Sequence, residues 1–118
     1  KMTFQRVRRH ERLTPNRFRI PEPRRNPALQ RKVWALDLLL LPLVGFDLAG
    51  HRLGMGGGWY DRTLAPRLQR PAPPWLVGVG FEAQRVDTID AQAWDVPLDA
   101  VCTERDTLLS PSLQDAPP

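Results

Sequence analysis

An α/β fold with a mostly parallel sheet is predicted for this 118-residue chain by three observations. Two apolar runs of strand length, residues 37–46 (DLLLLPLVGF) and 75–81 (WLVGVGF), lack polar alternation and read as strands buried on both faces. Between them lies a glycine-rich loop that runs straight into an amphipathic pattern, the order strand, loop, helix. A polar connection then leads to a third strand near residues 100–103. Strands separated by helical or loop crossovers are the mark of a parallel α/β sheet.

In chain order, residues 2–9 alternate imperfectly around Phe4 and Val7 and are expected to form a strand. PEPRRNP, residues 21–27, reads as a turn-rich loop within one domain, since strand-like apolar sequence resumes a few residues later. After the strand at 37–46, residues 50–58 contain five glycines. In the following WYDRTLAPRLQR, Trp59, Leu64 and Leu68 fall near helical spacing, Asp61 lies in the first turn, and Pro66 limits or kinks the helix. PAPP forms a loop before the strand at 75–81. The connection from 82 to 99 is expected to be partly helical with a turn at 95–97, and residues 106–118, with three prolines, to fray.

One domain, residues 1–118, is all that this length supports. The chain opens on Lys1 and is expected to be a piece of something longer. There is no run of 18 apolar residues, and the arginine-rich start lacks the apolar core of a signal peptide, so no membrane partner and a soluble cytoplasmic location are expected. Cys102, the sole cysteine, excludes an intrachain disulfide and a cysteine-clustered zinc site, and reads as a small buried hydrophobe. Charge divides unevenly: the first 32 residues carry +9 and the remainder −5. The basic segment lacks a nucleic-acid-binding motif and its prolines break any long helix, so it reads as a solvated face, or one that meets an acidic or nucleotide ligand, and no nucleic-acid partner is expected.

The glycines carry the chemistry. Each costs roughly 0.5–1 kcal/mol relative to alanine inside ordered structure, so Gly54, Gly56, Gly57 and Gly58 need a reason. A tight strand-to-helix turn is one; an anion cradle, with free amides and a helix amino terminus behind a loop free of side chains, is the other. A Walker loop is excluded because Gly58 is followed by Trp59, and the dinucleotide fingerprint fails because its third glycine falls on Trp59. Arg52 before the loop and Asp61 after it favour a metal–nucleotide site, for which one or two carboxylates such as Asp61 and Asp95 suffice. On spacing alone, a helix-dipole role for Asp61 and an Asx-turn role for Asp95 are the favoured accounts. A serine hydrolase is disfavoured because Ser110 and Ser112 both lie in the tail, and His51 reads as a solvent-facing turn residue.

The segment LLLLPLVGFDLAGHRLGMGGGWYDRTL resembles the signature of the 5-formyltetrahydrofolate cyclo-ligase family, and the similarity extends to NRFRIPEP, VGVGFEAQ and WDVPLDAV. It covers nearly all of the chain and about the C-terminal two-thirds of a typical member. The resemblance implies a three-layer α/β/α sandwich lacking its N-terminal part. It also implies ATP-dependent, magnesium-requiring conversion of 5-formyltetrahydrofolate to 5,10-methenyltetrahydrofolate by a cytoplasmic monomer, with ADP and phosphate released. The formyl oxygen would attack the γ-phosphate, and a neighbouring folate nitrogen would then close the ring. Family ATP contacts map onto Arg52, Leu53, Gly54, Met55, Gly56, Gly57, Gly58, Trp59 and Tyr60, and metal carboxylates onto Asp61 and Asp95. Arg52 is the expected catalytic cation, and Trp59 and Tyr60 offer a wall for the pterin, or one of them packs into the helix core. Many members carry Lys where this chain has Gly57. The N-terminal portion that reaches ATP and folate in the family has no counterpart here, so the 118 residues alone are expected to be inactive. The alternative is a related module that binds nucleotide without folate turnover.

Overall fold

Four short strands open the chain: β1 (Phe4–Gln5), β2 (Leu13–Pro15), β3 (Pro21–Pro23) and β4 (Gln30–Arg31). The structure is a computed structural model that describes residues 2–114. β1 pairs antiparallel with β4, and β2 with β3, so the expected strand at 2–9 shortens to two residues and the proline-rich 21–27 segment contributes half of a hairpin. The tip of that hairpin is an Asn16 turn, whose Oδ1 accepts from the Phe18 and Ile20 amides.

The principal sheet is built from β5 (Leu38–Pro42), β8 (Trp75–Val79), β9 (Ala100–Cys102) and β10 (Thr107–Leu109), in the order β10-β9-β8-β5. Both internal ladders, β5 with β8 and β8 with β9, are parallel, and β10 adds an antiparallel edge. The mixed α/β class and its mostly parallel sheet follow the sequence expectation. Two boundaries differ. The run 37–46 is not one strand: β5 ends at Pro42, and β6 (Gly45–Phe46) turns away to pair with β7 (Arg52–Leu53). Residues 107–109, inside the segment expected to fray, are held by their ladder to β9 and by the Ser110 amide donating to Asp99 O at 2.9 Å. Residues 115–118 lie outside the described residues.

One face of the sheet is covered. Helix α1 (Trp59–Leu64) and the 3₁₀ turn Ala65–Leu68 lie in the crossover between β7 and β8, where Pro66 ends the α-helical pattern. Leu64 joins Leu39, Leu41, Phe46, Leu76, Leu98 and Val101 in the core. The crossover is fastened by Arg67, whose Nη2 bonds both oxygens of Asp99 at 3.0 Å while Asp99 Oδ2 accepts the Leu76 amide at 2.8 Å.

The other face is bare. Leu38, Leu40, Trp75 and Val79 alternate with the buried residues and are exposed, Leu40 by 58%. The expectation of strands buried on both faces is therefore corrected: apolar residues occupy both faces, and the described elements cover one. Cys102 is half-buried rather than buried, with Sγ 3.4 Å from Thr107 Oγ1. No helix among the described residues is long and apolar enough to cross a membrane.

Candidate active site

Beyond the carboxyl end of β5, where ligands of parallel α/β sheets collect, a cleft of about 540 Å³ opens. One wall is the end of β5, Pro42 to Val44; the floor and opposite wall are the glycine loop and the start of α1; Trp94 and Asp95 close it from a distant part of the chain. All eleven sequence-predicted site residues line this cleft: Arg52, Leu53, Gly54, Met55, Gly56, Gly57, Gly58, Trp59, Tyr60, Asp61 and Asp95.

The β6–β7 hairpin sets the geometry, and Asp47 organises the hairpin. Its carboxylate is only 3% exposed. Oδ1 accepts the Ala49 and His51 amides at 3.0 and 2.9 Å, and Oδ2 accepts the Ile89 amide at 3.0 Å and meets His51 Nδ1 at 2.9 Å. Burial pushes the Asp47 pKa up, but the backbone amides of His51 and Ile89, and then the His51 ring, outweigh it and hold the carboxyl below its ordinary value. His51 is thus a half-buried partner of Asp47 rather than a solvent-facing turn residue, and it borders a small cavity shared with Arg52, Asp61 and Asp95.

Segment 85–98 is zipped along the hairpin. The Val86 and Leu98 amides donate to the Phe46 and Gly50 carbonyls at 2.8 and 2.7 Å, on either side of the Ile89–Asp47 bond. Gly50 has φ +94°, and a Cβ there would lie 2.8 Å from Leu98 O, so both its backbone conformation and the close approach require glycine. This zipper carries Asp95 to Asp61: Val96 N donates to Asp61 Oδ1 at 3.1 Å. Asp95 Oδ2 accepts the Gln92 amide at 2.9 Å, and Asp95 N donates to Gln92 O at 3.1 Å, so the carboxylate reaches back across the turn that precedes it instead of forming the Asx turn expected at 95–97, which would bond an amide two residues on.

Arg52 projects from β7 along the cleft. Its Nε donates to Pro42 O at 3.0 Å and its guanidinium carbon lies 4.9 Å from the Tyr60 ring centroid, so the side chain is held from two sides. Tyr60 also packs against the core, whereas Trp59 is 56% exposed and carries Arg62 over its ring at 5.1 Å. Of the two aromatics, then, Trp59 faces the cleft with the freer surface. A Cβ on Gly57 would lie 2.7 Å from Trp59 Cδ1, so the bare backbone at 57 is what admits the indole. Gly56 and Gly58 take φ of +88° and +67°, and Gly58 caps α1 in the left-handed conformation.

Asp99, which brackets Val96, Pro97 and Leu98 with Asp95, is committed to Arg67 and takes no part in the cleft. Sequence reasoning missed Trp94, Pro42, Leu43 and Val44 as lining residues and Asp47 as their organiser. The signal for Trp94 was its position beside Asp95 in a polar stretch that supplies no core partner. Among the described residues no three His, Cys, Asp or Glu side chains converge as a metal cage. Asp61 and Asp95 each spend one oxygen on a backbone amide, a pair suited to a hard cation that takes its other ligands from phosphate and water.

A mixed α/β domain that gathers a glycine loop, an arginine and two carboxylates around one cleft has the groups with which to hold an anionic ligand and its counter-cation. The chain belongs to the 5-formyltetrahydrofolate cyclo-ligase family, whose profile matches residues 1–104. It is 45% identical over 83 residues to the 5-formyltetrahydrofolate cyclo-ligase of Haemophilus influenzae, covering 70% of this chain and 43% of that protein. With the Escherichia coli K12 enzyme of the same name it shares 43% identity over 91 residues, 77% of this chain and 49% of that one. The NMR structure of Aquifex aeolicus 5,10-methenyltetrahydrofolate synthetase superposes with a TM-score of 0.73 at 32% identity, covering 98% of this chain and 55% of the other. The chain spans about half the length of the curated relatives it matches.

Proposed function

We propose that the protein that contains this chain converts 5-formyltetrahydrofolate to 5,10-methenyltetrahydrofolate at the expense of ATP, releasing ADP and phosphate. The single observation that carries this reading is the convergence of Arg52, the glycine loop, Asp61 and Asp95 on one cleft. The loop amides and the amino end of α1 receive the ATP phosphates, and Arg52, fixed by Pro42 O and Tyr60, faces the charge that builds on the transferring phosphoryl group. Magnesium, held by Asp61 and Asp95, would neutralise phosphate charge when bound. Trp59 gives the pterin a flat, exposed face to lie on. The formyl oxygen attacks the γ-phosphorus and ADP leaves. A neighbouring folate nitrogen then attacks the activated carbon, and phosphate leaves as the ring closes.

The bare face of the sheet supports the remaining part of the reading, a three-layer α/β/α sandwich. Exposed Leu38, Leu40, Trp75 and Val79 form the surface on which a further layer, supplied by the part of the family fold that these residues do not span, packs. The same logic places the reaction in the natural full-length protein, a cytoplasmic monomer in this reading. The experiment is an ATP-dependent rise in methenyltetrahydrofolate absorbance from 5-formyltetrahydrofolate. ATP and magnesium binding without folate-dependent ADP release would instead identify a nucleotide-binding module.

A further inference from the structure

The basic amino-terminal region, +9 over its first 32 residues, contributes no residue to the cleft, yet folding gathers five of its eleven basic residues around one groove. The Gln5 side chain clamps the segment after β3, with Nε2 donating to Arg24 O at 2.8 Å and Oε1 accepting the Asn26 amide at 3.0 Å. Residues 8–11 make a tight turn, Glu11 N donating to Arg8 O at 3.1 Å, with His10 at φ +61°. Pairing of Leu13 with Pro23 brings Arg12 and Arg24 alongside at the open end of the β2–β3 hairpin. The outcome is a groove of about 780 Å³ lined by Arg8, Arg9, Arg12, Arg24 and Arg25, with Glu11 the one acid.

Arg8 occupies Glu11 at 3.1 Å; among the described residues the other four guanidiniums have no carboxylate partner. Four unpaired like charges around one concavity repel, and salt screens that repulsion only over a Debye length of ~8 Å. A merely solvated face intersperses the two signs, and this chain has acids in excess beyond residue 32 but leaves them out of the groove. Guanidinium forks match phosphate and carboxylate in pairs. Leu29 is the single apolar lining residue and no aromatic joins it, so the stacking platform that single-stranded nucleic acid needs is missing. The volume exceeds what one phosphate fills.

We propose that this groove is a second anion site, separate from the glycine-loop cleft, for a compact oligoanion bearing three or more phosphate or carboxylate groups. The test is calorimetric titration of the natural full-length protein near 0.15 M salt, its glycine-loop cleft first saturated with magnesium and a non-hydrolysable ATP analogue so that only the groove is open to added anions, with two probes, inorganic tripolyphosphate and a triglutamate peptide, which separate a phosphate from a carboxylate ligand. At least one probe binds saturably, and R12S/R24S/R25S weakens that binding roughly tenfold or more for each guanidinium lost, while R52S in the cleft leaves it unchanged. If the triple variant does not fold, as judged by its circular dichroism melt, R12S and R25S singly give the same reading in smaller steps. Failure of both probes to bind, or binding lost in R52S and retained in the groove variants, overturns the proposal. Tighter binding of a single-stranded oligonucleotide than of either probe also overturns it, in favour of a nucleic-acid surface. None of these outcomes depends on folate turnover.

Discussion

Asp61 Oδ1 accepts the amide of Val96 at 3.1 Å, and through this bond the first turn of α1 and the turn bearing Asp95 form one wall. Asparagine at 61 keeps an oxygen for that amide. If Asp61 served structure alone, Asp61→Asn would remove the dipole interaction, roughly 0.3–1 kcal/mol. In the proposed reaction it also removes a charge beside magnesium and phosphate. We expect melting to shift by a few degrees at most while turnover of the full-length protein falls on the order of a hundredfold. Near-parental activity at limiting magnesium would withdraw Asp61 from the metal site.

Neighbouring glycines should respond differently. At Gly57 an added Cβ meets the Trp59 ring at 2.7 Å, so Gly57→Ala must swing the indole; we expect altered tryptophan emission and weaker ATP binding. At Gly56 nothing lies within 4 Å, and the cost of Gly56→Ala is backbone strain at φ +88°, about 1–2 kcal/mol, with emission unchanged. Equal emission spectra for the two variants would remove Trp59 from its place over residue 57.

Asp47 makes acid stability predictable in sign. Its carboxyl titrates lower in the folded protein than its ordinary 3.8. The stability it confers is therefore complete above that value and is lost as pH falls through the depressed folded value. Asp47→Asn sets an amide NH₂ against existing donors and should cost about 2 kcal/mol or more at neutral pH. Urea titrations from neutrality to below pH 3 should show the gap between parent and variant closing in acid. A gap that stays constant would mean that the charge of Asp47 contributes nothing.

The bare sheet face offers a test of the third layer. Leu40 is 58% exposed among the described residues, so on this surface Leu40→Ser should change stability by less than about 0.5 kcal/mol. If a further layer covers it in the full-length protein, the same substitution there should cost roughly 1.5–3 kcal/mol, the value of a buried leucine. Denaturant unfolding of the full-length pair distinguishes these, and a change below 0.5 kcal/mol would argue against the sandwich.

Sequence pattern located what is local. The strands at Trp75–Val79 and Ala100–Cys102, and the passage from glycine loop into α1, announce themselves by apolar runs, glycines and helical spacing within a dozen residues. The break after Pro42 did not, because Leu43, Val44 and Phe46 continue the apolar run without interruption. Nothing in the local sequence marks Asp47 as a buried organiser, since one of the amides that satisfy its carboxylate belongs to Ile89, far along the chain. Asp99 was equally opaque until Arg67 arrived from the crossover. The cleft residues were legible through the family motif; the hydrogen bonds that aim them were not, because each joins segments whose proximity only the sheet creates.

The pairing of Gly50 with Leu98 bears on the order in which the chain assembles. Because Leu98 N reaches Gly50 O only when the 85–98 segment has returned along the hairpin, the glycine loop can form early while its second carboxylate arrives late, after β8 is in place. Releasing the whole 85–98 segment means unzipping Phe46, Asp47 and Gly50 from their partners. The amides of Val86, Ile89 and Leu98 should consequently exchange with deuterium together and slowly, as one cooperative unit, and a protease should find the segment between them resistant until the whole domain gives way.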